Sequence, residues 1–167
     1  MKKITLLFGL IIGAILSANM IVMVNMIYTN ADVKGNDAVG YAAMVVMFSL
    51  IFFGVRNYRN NHLNGFITFG KAFRIGALIA LVASTMYVVV WLLYYYLFVP
   101  DFMDVYADYV LEKCTKEDLP ARTAQMENMK ELYKNPLFVI LMTYAEVLPV
   151  GLIVTFISAL VLKKSAA

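Results

Sequence analysis

Residues 75–98 read IGALIALVASTMYVVVWLLYYYLF, 24 residues without a single charge. A helix needs about 20 mainly apolar residues to cross roughly 30 Å of hydrocarbon, so this stretch can span a membrane unaided. Three further runs are of the same kind: Ile4–Tyr28, Ala38–Val55 and Leu137–Leu162, the second being the shortest. In lipid every backbone polar group must pair internally, so a span is a helix or part of a closed barrel. Barrel strands would alternate in short segments, whereas these runs are continuous. The sequence therefore predicts an all-α polytopic membrane protein, a single membrane domain over residues 1–167 with four transmembrane helices.

Composition agrees. The chain is 62% hydrophobic and 15% charged, against about 45–50% and 25% in soluble proteins. The first run follows Lys2 and Lys3 and so begins like a secretion signal. It continues past Ser17 and Ala18 to Tyr28, beyond the usual 7–15-residue signal core, and is read as a retained span.

Charge gives the expected orientation. Lys2, Lys3, Arg56, Arg59, Lys71, Arg74, Lys163 and Lys164 fall at the two termini and in the middle connection, where no acid occurs. Loops facing the cytoplasm are rich in Lys and Arg. Both termini are thus expected in the cytoplasm, as an even number of spans requires. Thr29–Asp37 and Pro100–Pro136 are expected outside. The aromatic cluster Trp91, Tyr94, Tyr95, Tyr96 and Phe98 is expected to form a headgroup belt at the outer end of span three. The net charge of +3 belongs to the inner membrane edge and implies no nucleic-acid partner.

Small residues recur every fourth position in three spans: Gly9, Gly13, Ser17; Ala72, Gly76, Ala80, Ser84; and Gly151, Thr155, Ala159. Such ridges let helix backbones approach closely, within one bundle or between copies of the chain. Outside the spans, residues 101–134 read as two amphipathic helices. Phe102, Tyr106, Tyr109 and Val110 stripe the first; Met126, Met129 and Tyr133, joined by Leu132, stripe the second. Pro120 suits a first helical turn. The stripes are expected to bury against each other or the bundle, or to present a docking face for a partner at Met126, Met129 and Tyr133. Cys114 has no companion cysteine and reads as a small, partly buried residue.

Glu146 is the one acid inside a span. It lies nine residues into the last run, about 14 Å along the helix, where a charge costs about 2.5 kcal/mol or more. It must be protonated, paired or in contact with water. By the same helical arithmetic Asn19, Tyr41 and Tyr87 reach similar depths, and Pro149 removes a helical donor one turn beyond. These five residues form a candidate intramembrane polar site. Its simpler role is a hydrogen bond holding the bundle in register; its sharper one is ion or proton transport.

Residues 65–72, GFITFGKA, approach the phosphate-loop pattern, but Ala72 stands where a hydroxyl would bind magnesium and no strand precedes. They read better as an aromatic, basic start to span three, with Phe66, Phe69 and Phe73 toward lipid. His62 is expected to be solvated. No catalytic constellation, cofactor motif or metal-ligand cluster is present in the sequence, so no enzyme activity, cofactor or metal is expected.

The stretch Thr68-Phe-Gly-Lys-Ala-Phe-Arg-Ile-Gly76, with Tyr94-Tyr-Tyr and Val99-Pro-Asp-Phe-Met103, resembles an uncharacterised bacterial membrane family catalogued as domain of unknown function 4199. The resemblance covers essentially the whole chain and implies a four-span bacterial membrane protein. It carries over no functional residues. The expectation is a multi-pass protein of the bacterial inner membrane, acting as a non-enzymatic scaffold or interaction protein. Its partners would be the lipid bilayer and a second copy or another membrane protein. The other reading is a small oligomeric transporter or proton-coupled channel centred on Glu146.

Overall fold

A computed structural model describes residues 1–29 and 37–164, with side chains for all of these except residues 37–39. The helices are α1 (Lys2–Tyr28), α2 (Asp37–Phe48), α3 (Leu50–His62), α4 (Phe69–Leu97), α5 (Phe102–Glu112), α6 (Leu119–Tyr133) and α7 (Pro136–Leu162). Four segments are long and apolar enough to cross a membrane: Lys2–Tyr28, Gly40–His62, Phe69–Leu97 and Pro136–Leu162. No strand occurs among the described residues. The connection expected at Thr29–Asp37 falls mostly on residues outside those described.

Local chemistry sets the helix ends. Thr68 caps α4, its hydroxyl accepting from the Lys71 amide at 3.4 Å. Asn135 caps α7 by accepting from the Leu137 amide at 3.0 Å, and Pro136 opens that helix with no donor to orphan. Pro120 lies in the first turn of α6. Two ends run further than hydropathy predicts. Span two continues past Val55 to His62, and span three begins at Phe69 rather than Ile75. Charged side chains that can extend to water do not interrupt a helix. In span two the Arg59 guanidinium also donates to the Leu162 carbonyl at 3.2 Å. The second span is broken at Ser49, whose hydroxyl donates to the Val46 carbonyl and separates α2 from α3.

α4 is the centre of the bundle, with α1 and α7 packed along it and α3 against all three. The small-residue ridges make this possible. A Cβ added to Gly9 would lie 2.6 Å from the Val82 Cβ, and one added to Gly76 2.6 Å from the Thr155 Cγ2. Gly13 meets Met86 and Gly151 meets Ala80 in the same two contacts. The ridges are therefore used within the chain. Ser17, Ser84 and Thr155 are buried with hydroxyls that find no hydrogen-bond partner, so their value at these crossings is small volume.

At the basic end of the bundle, Ile67 and Lys164 exchange backbone hydrogen bonds of 3.0 and 2.8 Å. Gly65 adopts φ +86 in the preceding turn, and residues 65–72 lead from that turn into the capped start of α4. Phe69 packs edge-on against Phe156 and is half-buried, while Phe66 is exposed. His62 is exposed and stacks on Tyr58.

The aromatic belt is divided. Tyr96 and Phe98 are exposed, but Trp91 and Tyr95, one turn apart on the other face of α4, are buried. Trp91 packs edge-on against Phe102 of α5 at 5.1 Å, and Tyr95 against Tyr133 of α6 at 5.8 Å. Two of the five residues expected in the belt, Trp91 and Tyr95, thus form the seat for the α5–α6 hairpin. Tyr28 of α1 also holds the start of the hairpin, donating to Asp101 at 2.7 Å, and the 2.7 Å Lys130–Asp104 ion pair joins α5 to α6.

Candidate functional site

Beside the hairpin lies a half-open cavity of about 730 Å³, lined by residues of α1, α2, α4 and α7 on one side and of α5 and α6 on the other. Each element contributes the face that its sequence period dictates. From α1, Asn19, Met20 and Met23 line it; from α4, Tyr87 and Trp91, four residues apart; from α7, Met142, Thr143 and Glu146. α2 contributes Gly40 and Met44, again four apart.

The hairpin presents both predicted stripes inward. Phe102, Tyr106, Tyr109 and Val110 of α5 all face the cavity, as do Met126, Met129 and Tyr133 of α6. Met126 is buried, and Met129 and Tyr133 are half-buried. The residues expected as a partner-docking face are turned onto the bundle. Leu132, grouped with them by spacing, is exposed on the other side.

Three of the five polar-site candidates, Asn19, Tyr87 and Glu146, line this space. Glu146 is exposed where it lines the cavity, Tyr87 is buried and Asn19 half-buried. The Glu146 carboxylate lies within electrostatic reach of the Tyr87 and Tyr133 hydroxyls. Burial, followed by this charge, pushes the Tyr133 hydroxyl up from 10.0 to about 12. The other two candidates are elsewhere. Tyr41 is exposed and turned about 100° away from Gly40 around α2. Pro149 is exposed, and α7 runs through it as one helix.

The walls are chiefly apolar and adaptable. Eight of the chain's eleven methionines line the cavity. Unbranched thioethers fill irregular space and accommodate varied shapes. Cys114 also lines it, its thiol donating to the Val110 carbonyl at 3.2 Å. Lys113 and Arg122 line the cavity at the tip of the hairpin. Lys113 Nζ stands 3.8 Å over the Tyr109 ring. Arg122 donates to Gln125 at 3.0 Å.

Sequence reasoning missed Trp91, Thr143 and the methionines of α1 as parts of one site. The signal was present in Met20, Met23 and Met26, spaced three apart, and in Tyr87, Trp91 and Tyr95, spaced four apart. Both read equally as lipid-facing residues until their neighbours are known.

The family model described as Protein of unknown function (DUF4199) matches residues 7–164. No curated protein and no solved structure matches the chain.

Proposed function

The chain belongs to this family of unknown function, and with no activity to carry over from it we propose a non-enzymatic membrane binding protein that takes a single-chain amphiphile into the cavity beside the α5–α6 hairpin. One observation carries the reading. Both amphipathic stripes of the hairpin face a mainly apolar space of about 730 Å³ that reaches the intramembrane acid Glu146. Ligand sites typically combine such a volume with apolar walls and a few polar groups that orient the ligand.

The test uses the single tryptophan, Trp91, which lines the cavity. Protein in phosphatidylcholine liposomes is titrated with a neutral nitroxide-labelled lauryl ester. Saturable quenching of Trp91, above the linear rise from partition into lipid, is the expected result. Purely linear quenching refutes the cavity as a binding site.

The protein is assigned to the inner membrane of a bacterium, with both termini cytoplasmic and the hairpin outside. The supporting observation is charge: Arg59, Lys71, Arg74, Lys163 and Lys164 cluster near the closure made by Ile67 and Lys164. Transport coupled to Glu146 is a second reading, favoured by the acid lining an intramembrane cavity. It calls for an oligomer, yet the Gly9–Gly13 and Gly76–Gly151 contacts already use ridges that could have joined copies. A scaffold that docks a partner is left with the outer face of the hairpin, around Leu119 and Leu132.

A further inference from the structure

We propose that the basic end of the bundle carries a discrete site for the phosphate headgroup of an anionic phospholipid, formed by Arg59, Lys71, Lys163 and Lys164 around the closure of Ile67 on Lys164. None of these residues lines the cavity, so the site stands apart from the binding function above. No acid occurs in residues 38–100 or 147–167. Among the described residues the two ion pairs are Lys130–Asp104 and Lys134–Glu131, and neither involves this end. The four cations are therefore uncompensated by described carboxylates.

Contacts between distant parts of the chain gather them. The Arg59 guanidinium donates to the Leu162 carbonyl at 3.2 Å and to the Asn60 side chain at 3.0 Å, which holds it at the end of α7. The backbone bonds between Ile67 and Lys164 bring Lys163 and Lys164 to the segment that opens α4. Lys164 Nζ lies 5.5 Å from the centre of the Phe66 ring. Lys71 follows four residues after Ile67, in the first turn of α4, and is exposed like Lys163 and Lys164. A guanidinium fork and ammonium groups are the side chains that bind phosphate oxygens best.

The surface beside the cluster selects a lipid over a free phosphate. Phe69 packs edge-on against Phe156 at 5.6 Å, across the seam between α4 and α7. Phe156, Leu160 and Val161 are all exposed. Phe156 is seven residues before Lys163, about 10 Å of helix. A phosphate held at the cluster thus stands at the end of an apolar strip that an acyl chain can follow. Basic pockets between spans at a membrane face are a general form of anionic-lipid site. Undirected attraction to an anionic leaflet would act on every cation alike. Lys2 and Lys3 are exposed on the first turn of α1 and take no part in the closure, so they serve as the comparison.

Protein in uncharged detergent micelles is titrated with phosphatidylglycerol while the midpoint of thermal unfolding is followed. A saturable rise is expected, with none from phosphatidylcholine or inorganic phosphate. Arg59→Gln combined with Lys164→Gln removes two cations and leaves the main-chain bridge in place. It should raise the half-saturating lipid fraction about tenfold or more. Lys2→Gln combined with Lys3→Gln removes the same charge and should leave that fraction unchanged. Equal losses in the two double variants overturn the proposal in favour of undirected surface charge. A saturable rise with inorganic phosphate overturns the lipid as the ligand. Native mass spectrometry of the wild type in an equimolar mixture of the two lipids requires no variant. Preferential retention of phosphatidylglycerol is expected, and equal retention overturns the proposal even if the Arg59→Gln, Lys164→Gln protein does not fold.

Discussion

Glu146, Asn19 and Tyr87 were legible as a group because helical rise is constant, so depth in the membrane follows from counting residues. Tyr41 satisfied the same count and lies elsewhere, because depth says nothing of the direction a side chain faces around its helix. Trp91 failed to be read as part of the site for the complementary reason. Its chemistry suits a headgroup belt, and only the arrival of Phe102 turns it into a wall.

Two predictions belong to single residues. Gly76→Ala places a Cβ 2.6 Å from Thr155 Cγ2 at the α4–α7 crossing. It should cost about 1–3 kcal/mol, seen as a lower midpoint of thermal unfolding in detergent. Gly70→Ala, where an added Cβ meets nothing within 4 Å, should leave the midpoint in place. Loss at both positions, or at neither, would contradict the close crossing.

The other concerns Tyr133. Its hydroxyl sits near 12 in the folded chain against 10.0 when unperturbed. Below pH 10 both states hold the proton, and the contribution to stability is fully present. As pH rises from 10 toward 12 the unfolded chain ionises first and unfolding is favoured. Tyr133→Phe should therefore flatten part of the stability loss over that window. An unchanged slope in alkaline unfolding curves would show that the hydroxyl is not shielded.

Among the elements, α5 and α6 were readable as amphipathic helices from spacing alone, down to Pro120 in the first turn. The surface they cover was not readable, since a stripe specifies that a face is buried and is silent about what buries it. A polar contact ties α5 to α6, and apolar contacts seat them on the bundle. The Lys130–Asp104 pair is largely solvent-exposed at Asp104, and such pairs contribute about 0–1 kcal/mol. Met126 of α6 is buried, and truncating a buried methionine costs about 2 kcal/mol or more. Met126→Ala should accordingly speed amide exchange in α6 far more than Asp104→Asn does. The reverse order would mean that the ion pair between α5 and α6, not apolar burial, keeps α6 ordered.

For the whole molecule, the segregation of basic and acidic segments predicts which end faces which compartment. Cys114 is the sole cysteine and lies in the hairpin's connection. A membrane-impermeant maleimide added to intact cells should label Lys116→Cys in a Cys114→Ala background. Labelling only after lysis would invert the topology. Four long, continuous apolar runs determined that the chain must be helical in a membrane, because an unpaired backbone group has no partner in hydrocarbon. The charge pattern and the ridges likewise follow from the sequence, being properties of period and composition. That α4 takes the centre, that the ridges close within one chain, and that the two hairpin stripes face the same space as Glu146 were decided only by the tertiary structure. Each depends on the rotation of one helix against another, a quantity that packing sets and that no single helix's sequence contains.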